Sequence, residues 1–470
     1  MTVEQLKLLV GTPDKLKEAL DKEIIVRDKE TYAKQYDVTG HDVSDKITRQ
    51  DKTVTLNDGS TKLITVTRIS VPLQKKIAST AAAFLCANPI KLQPEGKVAS
   101  QENFTQLIER VWDKNKLDYK NLRIANILFS ETECAELWYT EPIKEGSDYW
   151  LGTSNETVKF TLRLRIMAYS LGDTLYPVFN EFGDMIAFGR GYTVQIDGQK
   201  IETLDLYTDE AMYRYQKGQS GLALTLKQAN VIGKIPVIYY SQPKPEWSDV
   251  QSAIDRFELS ISKHGDTNDY FGAPIAKVKG TVKGYAEKGE EGKILELEEG
   301  AEIDYLTWNQ SPDSIKLEQE NLRSLIHDMS DTPDFSFTQM SRLGTFSGVA
   351  LRLLFMAAHL KAASKEEIFG EGVQRRINYI REAVIKLNSS LESFRSISIK
   401  PLFRYYLPED TGGDIENIST AISSGFISLQ TAVERNPLVE NASEEMDRIR
   451  MQKEEEAKSA QALNDQMNEE

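Results

Sequence analysis

Two segments decide the fold of this chain: SDVQSAIDRFELSISKHG at 248–265 and SPDSIKLEQENLRSLIHDMSDTPD at 311–334. Apolar side chains recur at helical spacing in both segments, which predicts two helices. Short alternating runs between them predict a small β module, with a glycine-rich and charged loop at 280–292. Because the two helices are of similar length, we expect them to be antiparallel neighbours, with the β module at their far end.

Start and stop signals bound both helices. Ser248 and Gln251 form a capping box, and the first helix is expected to end near Gly265. Ser311 and Pro312 supply the N-cap and the first residue of the second helix. The residues that share one face of these helices are Val250, Ile254, Phe257 and Ile261 in the first and Ile315, Leu322, Ile326 and Met329 in the second.

A loop and a long helix follow the second segment. The breaker cluster at 331–335 predicts the loop. Helical periodicity predicts a long helix from Ser347 towards Asn388. Two glycines inside it, Gly370 and Gly372, predict a kink.

The remaining C-terminal residues are predicted to be mostly helical. A short strand at 396–400 should end at Pro401. Ser428 caps one later helix, and Asn441 with Glu444 forms a capping box for another. The acidic tail is expected to fray.

The residues before 248 alternate between helix and sheet. Around Asn57-Asp58-Gly59, two alternating runs predict a β-hairpin within 51–69, and helices are predicted at 71–85 and 103–118. Short alternating runs between 130 and 240 predict a mostly antiparallel sheet, so the fold class is α+β. The predicted strands are Ala135–Tyr139, Val158–Ile166, Asp184–Ile196, Glu202–Thr208 and Ile235–Tyr240.

The charge balance argues against a tight DNA clamp. Of the 470 residues, 72 are acidic and 57 are basic, giving a formal net charge of −15. Proteins that grip DNA strongly displace its counterions with an excess of cations. Cys86 and Cys134 form no C-x-x-C pair, which favours a reducing compartment. Neither a signal peptide nor an apolar run of membrane length is visible, so we expect a soluble intracellular protein.

No sequence motif points to catalysis. The chain lacks the G-x-x-x-x-G-K-[ST] phosphate loop and the H-E-x-x-H metal pair. Its histidines lack ligand spacing; they are His41, His264, His327 and His359. We therefore expect no enzyme activity, no cofactor and no metal. An enzyme whose catalytic residues converge from distant positions remains an alternative.

Several short pieces of the chain stand in a distinctive order, beginning with Arg68-Ile69-Ser70-Val71-Pro72 and Asn88-Pro89-Ile90 and continuing with Gly233–Ser241. In order and spacing they resemble the portal family of long-tailed phages, in which the piece like Gly233–Ser241 is the entry into the first stem helix. The most specific piece is Asp331-Thr332-Pro333-Asp334 followed by Ser347-Gly348-Val349-Ala350-Leu351. It resembles the loop and the start of the long helix that line the narrowest part of a portal channel.

The resemblance implies a closed ring, typically of twelve subunits, at one capsid vertex. Its parts are the wing, stem, clip and crown. Carried over to this chain, they are the wing at 1–247, the first stem helix at 248–270, the clip at 271–310, the second stem helix at 311–330, the tunnel loop at 331–346, a long helix returning to the wing at 347–410, and the crown with its acidic tail at 411–470.

The resemblance also implies residues that line the channel or contact partners. The tunnel-loop candidates are Asp331, Thr332, Pro333, Asp334, Phe335, Arg342 and Thr345. Cations that centre the duplex would be Arg342, Lys263 and His264, although Arg342 pairing with Asp331 or Asp334 is an equal alternative. The clip candidates are Lys277, Lys279, Lys283, Lys288 and Lys293. These lysines either contact partners or form a solvated charge run that protects a sheet edge.

The implied function is a channel for packaging and ejecting genomic DNA. The implied partners are further copies of the chain, the large terminase subunit, a head-completion adaptor, the major capsid and scaffolding proteins, and double-stranded DNA; no membrane is implied. The implied locations are the capsid vertex and, during assembly, the host cytoplasm. The apolar faces of the stem helices contact either a neighbouring subunit or their own core. A minor head or scaffold protein is the alternative within the same class.

Overall fold

A computed structural model describes most of the chain, and it divides the chain into two compact units. The described residues are 1–55, 58–95, 99–271, 275–280, 282–284, 296–297, 300, 302–306, 312–334, 336, 355–405, 411–439 and 441–468. The first unit comprises Met1–Pro333 with Ala358–Tyr406, and the second comprises Asp334–Ala357 with Leu407–Glu470. No helix in the described residues is long and apolar enough to cross a membrane.

Three short helices open the first unit: α1 (Val3–Val10), α2 (Pro13–Glu23) and α3 (Lys29–Tyr36). A capping box begins α1. The Thr2 side chain accepts a hydrogen bond from the Gln5 backbone N–H, and the Gln5 side chain accepts one from the Thr2 backbone N–H. The apolar side chains of α1 and α2 join a core built on the larger sheet of this unit.

A hairpin and three helices follow. They are β1 (Lys52–Thr55), β2 (Thr61–Ile64), α4 (Leu73–Cys86), β3 (Lys91–Pro94), α5 (Ala99–Lys114) and α6 (Leu117–Glu131). The predicted hairpin is confirmed by antiparallel pairing of β1 with β2. The helix predicted at 103–118 is confirmed as α5, but it ends at Lys114, because Lys116 adopts a left-handed conformation (φ 55°) before α6 begins.

Two antiparallel sheets form the centre of the first unit. One is three-stranded in the order β11–β4–β5, and the other is five-stranded in the order β10–β9–β8–β7–β6. Their strands are β4 (Glu133–Pro142), β5 (Phe160–Met167), β6 (Thr174–Phe179), β7 (Met185–Ile196), β8 (Gln199–Tyr207), β9 (Ala211–Gly218), β10 (Gly221–Ala229) and β11 (Val237–Ser241). The predicted antiparallel α+β character is confirmed, although β6, β9 and β10 were not predicted.

The two decisive segments form α7 (Gln251–Phe271) and α8 (Pro312–Met329). Gly265 does not end α7. A Cβ atom there would lie 2.8 Å from Cγ2 of Thr67, so a glycine at this position lets Thr67 pack closely against the helix. The predicted capping box is also wrong, since Gln251 donates its amide to Asp255 at 2.7 Å and a 3₁₀ turn precedes the helix.

The β module between these helices contains β12 (Ile275–Lys279), β13 (Val282–Gly284), β14 (Glu296–Leu297) and β15 (Glu302–Leu306). β12 pairs antiparallel with β15, and β13 pairs antiparallel with β14. β12 follows α7, and β15 precedes α8. Their pairing therefore places the end of α7 and the start of α8 at the same end of the helix pair.

The long helix α9 (Met356–Leu387) runs uninterrupted through both of its glycines. The start predicted at Ser347 lies outside the described residues. Gly372 lets the Tyr240 ring pack directly against the helix backbone, because a Cβ atom at 372 would lie 2.0 Å from that ring. The following strand β16 (Ile399–Leu402) pairs with β3 and includes Pro401 opposite Leu92, so Pro401 does not end it.

The second unit contains α10 (Thr411–Ser423), α11 (Leu429–Arg435) and α12 (Ala442–Asn468). Ser428 caps α11 as predicted, accepting from the Thr431 backbone at 3.2 Å. Asn441 likewise accepts from the Glu444 backbone at 3.3 Å. The tail that was expected to fray is helical as far as Asn468.

Candidate functional site

Helices α7 and α8 lie side by side with opposite chain directions. Arg256 donates to the Glu318 carboxylate from Nε at 2.8 Å and from Nη2 at 2.6 Å. Ser260, one turn further along α7, donates to the same carboxylate at 3.3 Å. The antiparallel arrangement agrees with the pairing of β12 and β15, and it matches the expectation from the sequence.

The apolar faces of this pair are only partly covered within the single chain. The predicted residues Val250, Ile254 and Ile326 are buried. The half-buried ones are Phe257, Ile261, Ile315 and Leu322. Met329, the last residue of α8, is 63% exposed, so it does not pack in the core of its own subunit. Leu317 and Leu325 on α8 are also exposed, at 58% and 46%.

An extended segment, 67–71, runs along α7 and is bonded to it at every second residue. The backbone N–H groups of Val71, Ile69 and Thr67 donate to Glu258 (2.6 Å), Ser262 (2.9 Å) and Asp266 (2.6 Å) in turn. Two extended residues advance about 6.6 Å, and four helical residues advance about 6 Å, so the two spacings nearly match. We call this arrangement the α7 ladder.

Charged side chains reinforce the α7 ladder at both ends. Nδ1 of His41 lies 2.7 Å from the Glu258 carboxylate, and both side chains are buried. Burial lowers the pKa of His41, but the hydrogen bond to Glu258 and its negative charge outweigh that effect and raise the pKa above its ordinary value. At the other end, Arg49 donates to Asp266 at 2.7 Å.

The end of α8 is closed by a Schellman motif. Asp331 adopts a left-handed conformation (φ 50°), and the Thr332 N–H donates to the His327 carbonyl at 3.0 Å. The Asp331 N–H donates to the Asp328 carbonyl at 3.4 Å, and Pro333 prevents continuation of the helix. Nδ1 of His327 lies 2.9 Å from the Thr332 carbonyl. The predicted loop therefore begins from a rigidly defined turn.

Lys361 of α9 ties this turn to the residues that precede α7. Its ammonium group donates to the Ser330 carbonyl at 2.8 Å and lies 3.0 Å from the Glu246 carboxylate. Lys365, one turn later, lies 2.6 Å from the same carboxylate. Glu246 is nearly fully buried, and Lys361 is only 11% exposed. Thus the long helix holds both the end of α8 and the approach to α7.

The predicted channel residues are only partly described. Asp331 is exposed, Thr332 is buried, and Pro333 and Asp334 are half-buried. Lys263 is exposed, whereas His264 is half-buried on α7. Phe335, Arg342 and Thr345 lie outside the described residues.

The predicted clip lysines are likewise only partly described. Lys277 and Lys279 are exposed on β12, opposite Asp304 and Glu302 of β15. Nζ of Lys279 lies 3.8 Å from the Glu302 carboxylate. The pair of Lys279 with Glu302 favours the solvated charge run for Lys279. The backbone of Lys283 belongs to β13, and Lys288 and Lys293 lie outside the described residues.

Sequence reasoning missed a buried ionic cluster that joins α9 to the three-stranded sheet. Arg376 donates from Nε to both Glu136 oxygens at 3.0 and 2.9 Å, and from Nη1 to Asn121 at 2.6 Å. Trp138 and Tyr240 also donate to Glu136 at 3.1 and 2.8 Å. These residues come from distant parts of the chain, so local sequence carries no signal of their contact.

The surroundings of the two cysteines disfavour the reactive thiolate form. Cys86 and Cys134 are free and buried. Burial raises the pKa of the Cys86 thiol to about 12 and that of Cys134 well above its ordinary value. The described part of the chain contains no cluster of three or more His, Cys, Asp or Glu side chains suited to a metal ion.

The comparison with protein families gives a match over nearly the whole chain. The family described as "Phage portal protein, SPP1 Gp6-like" matches residues 29–459. The chain belongs to this phage portal family. The matched residues include the α7–α8 pair, the β module between the two helices, and the loop that follows. The match therefore covers both helices, the β module and the loop base within 248–334.

Solved structures from gene transfer agent particles are similar to this portal-family chain. A chain of the neck of an empty particle, computed with C6 symmetry, has 10% identity and a TM-score of 0.43, covering 77% of this chain and 88% of that chain. A chain of the native virion has 11% identity and a TM-score of 0.41, covering 86% of this chain and 92% of that chain. No curated protein matches the chain.

Proposed function

We propose that the chain is a subunit of a ring that surrounds a DNA channel at one capsid vertex. Membership of the phage portal family supports this role. The observation that carries the proposal is the α7–α8 pair. Its apolar residues are buried on one side only, while Leu317, Leu325 and Met329 remain exposed. A ring of identical chains needs such unlike surfaces to meet head to tail.

The proposed parts of the ring follow the described elements. Residues 1–247 form the wing, α7 and α8 the stem, and the β module the clip. The segment 331–346 forms the tunnel loop, α9 returns to the wing, and residues 411–470 form the crown. The bonds of Lys361 to Ser330 and Glu246 support a loop whose base is held by the long helix.

The proposed channel allows DNA to pass in both directions with little sticking. Each subunit carries a net charge of −15, and repeated copies multiply this charge around the ring. A net acidic wall repels phosphate, while a few cations keep the duplex centred. The proposed cations are Arg342, Lys263 and His264; pairing of Arg342 with Asp331 or Asp334 remains the alternative. An Arg342→Gln variant that leaves the DNA content of heads unchanged would remove Arg342 from this role.

The proposed partners bind at the clip and the outer surface. The clip would dock the large terminase subunit during packaging and a head-completion adaptor afterwards, and the wing would contact the capsid and scaffolding proteins. Such a chain works in the virion after assembly in the host cytoplasm, and it needs no enzymatic centre. The exposed pair of Lys279 with Glu302 supports a solvated charge run at Lys279, as the alternative to docking at this residue.

The proposed function is tested by measuring the mass of the assembled protein. Native mass spectrometry should give a closed oligomer for the unchanged chain. A Leu325→Asp variant should give mostly monomers, because a charge would replace an apolar contact on α8. A Val231→Asp variant is the matched control, since Val231 is also exposed but lies outside the stem. A monomeric unchanged chain at all concentrations would refute the proposal and favour a minor head protein or an enzyme.

A further inference from the structure

The hairpin β1–β2 carries apolar side chains on an exposed surface. All eight of its strand residues are exposed. Lys52 pairs with Ile64 and Val54 with Lys62, so these four side chains share one face of the hairpin. Leu63 lies on the opposite face with Thr53 and Thr55. The first face therefore has two apolar side chains flanked by two lysines.

A two-stranded hairpin on its own is marginally stable in water, yet this one has a firmly held base. Asp51 accepts from the Val66 N–H at 3.1 Å and from Arg68 at 2.8 Å. The next residue along, Thr67, belongs to the α7 ladder and donates to Asp266. A hairpin with a fixed base and exposed apolar residues is suited to dock on another surface.

The outward face of α8 has complementary chemistry. Asp313, Leu317 and Glu320 follow one another at helical spacing on one exposed face. Leu317 is thus an exposed apolar residue between two carboxylates. Lys316 lies 3.9 Å from Glu320 at the edge of this face and offsets its charge only in part. The hairpin offers the reverse pattern, with lysines around Val54 and Ile64.

The base of the hairpin lies at the same level of the helix pair as this face. Ser260 of α7 contacts Glu318 of α8. Asp266 lies six residues after Ser260 on α7, and Pro312 lies six residues before Glu318 on α8. Because each step covers about 9 Å along its helix, Asp266 is level with Pro312. Asp266 holds the hairpin base, and Pro312 begins α8. The hairpin, whose four-residue strands span about 13 Å, therefore starts level with the turns that carry Asp313 and Leu317.

We propose that the hairpin of one subunit docks on the outward face of α8 in a second copy of this chain. This inference rests on the proposed ring. Val54 and Ile64 pack against Leu317, while Lys52 and Lys62 face Asp313 and Glu320. The two surfaces are unlike, so the contact is heterologous and repeats from subunit to subunit.

Cross-linking between cysteines tests this contact in the full-length protein. A mixture of Val54→Cys and Leu317→Cys subunits is assembled and treated with a short bismaleimide. A cross-linked dimer is expected after denaturation. The native Cys86 and Cys134 are buried with raised thiol pKa values, so the unchanged protein should give little background. The matched control is a mixture of Leu63→Cys and Leu317→Cys, because Leu63 lies on the other face of the hairpin.

The outcomes separate this inference from the proposed function. Rings that form without a Val54–Leu317 cross-link overturn the docking and leave the ring standing. Equal cross-linking from Leu63 also overturns it, since docking requires one particular face. Absence of any oligomer overturns both. The hairpin could also bind DNA or a capsid protein while copies of the chain show no cross-link. That result assigns the hairpin surface to another partner and overturns the docking as well.

A charge exchange gives a second, independent measurement. Lys62→Glu should raise the dissociation constant between subunits about two- to fivefold, as expected for one exposed ion pair. Combining it with Glu320→Lys should restore the original value, because the attraction is re-formed with reversed signs. Failure of the double variant to recover association contradicts the proposed pairing.

Discussion

Arg376 of α9 and Glu136 of β4 form an ion pair in which neither side chain is exposed to solvent. The arginine reaches both carboxylate oxygens and also bonds to Asn121 and Tyr240. The pair joins a residue of the N-terminal half to the long helix across 240 positions of sequence. It therefore fixes where α9 lies on the three-stranded sheet.

Removing one partner of this pair should destabilise the protein strongly. An Arg376→Met variant leaves the Glu136 carboxylate buried without its cation, which costs about 3–5 kcal/mol. Chemical denaturation, monitored by tryptophan fluorescence, measures the decrease in the free energy of unfolding of the first unit. Arg375→Met is the matched control, because Arg375 lies next in α9 but pairs with Glu371 at the exposed surface. Equal effects of the two substitutions would contradict the role given to Arg376.

Gly372 should tolerate alanine poorly, whereas Gly370 should accept it. A methyl group at 372 would overlap the Tyr240 ring, and such overpacking costs about 1–3 kcal/mol. At 370 the nearest atom is Cγ of the Glu366 side chain at 3.2 Å, so a methyl group there requires a shift of only a few tenths of an ångström. Alanine also favours the helix there. Thermal unfolding of Gly372→Ala and Gly370→Ala checks this difference, and identical melting temperatures would refute it.

The pair of His41 and Glu258 should make stability depend on pH. The raised pKa of His41 means that its protonated form stabilises the fold. This contribution is fully present below the ordinary pKa of 6.5 and is lost as the pH rises through the raised value of the folded state. The stability difference between the unchanged protein and a His41→Gln variant should therefore shrink as pH increases. A difference that stays constant or grows across that range would rule out the assigned protonation.

Lys361 should stabilise the turn from which the proposed tunnel loop begins. A Lys361→Met variant removes a donor from the Ser330 carbonyl and one cation from the buried Glu246, at a cost of about 1–3 kcal/mol. Hydrogen exchange at the amides of Asp331 and Thr332 should accelerate. Lys244→Met is the control, because its pair with Asp249 is exposed at 3.7 Å. Unchanged exchange in Lys361→Met would show that the turn does not depend on this lysine.

The elements that could be predicted from sequence are those with local signals. The paired helices follow from periodicity, the hairpin from its Asn57-Asp58-Gly59 turn, and the caps at Ser428 and Asn441 from side-chain chemistry. Pro312 likewise begins α8 as expected. In each case, the residues that decide the structure lie within a few positions of each other.

The errors arose where tertiary contacts decide the structure. The pattern at Gly265 predicts a helix end, but this glycine instead admits Thr67, and Gly372 likewise admits Tyr240; both neighbours are distant in sequence. The α7 ladder was also missed, because its donors are backbone groups that every residue type carries. The α5–α6 break at Lys116 has no glycine or proline to mark it.

The candidate site was predictable only in outline. The family was recognised from the order of several weak motifs, and the family comparison confirms it. The anchoring of the loop base by Lys361 and Glu246 could not be predicted, because each residue alone resembles an ordinary surface charge. The roles of Arg342 and of the clip lysines stay predictions.

Electron microscopy of the purified full-length protein tests the central claim most directly. Two-dimensional class averages should show closed rings viewed down an axis, with a central opening wide enough for duplex DNA, about 20 Å across. Compact single particles without an opening, at every protein concentration tried, would contradict the account.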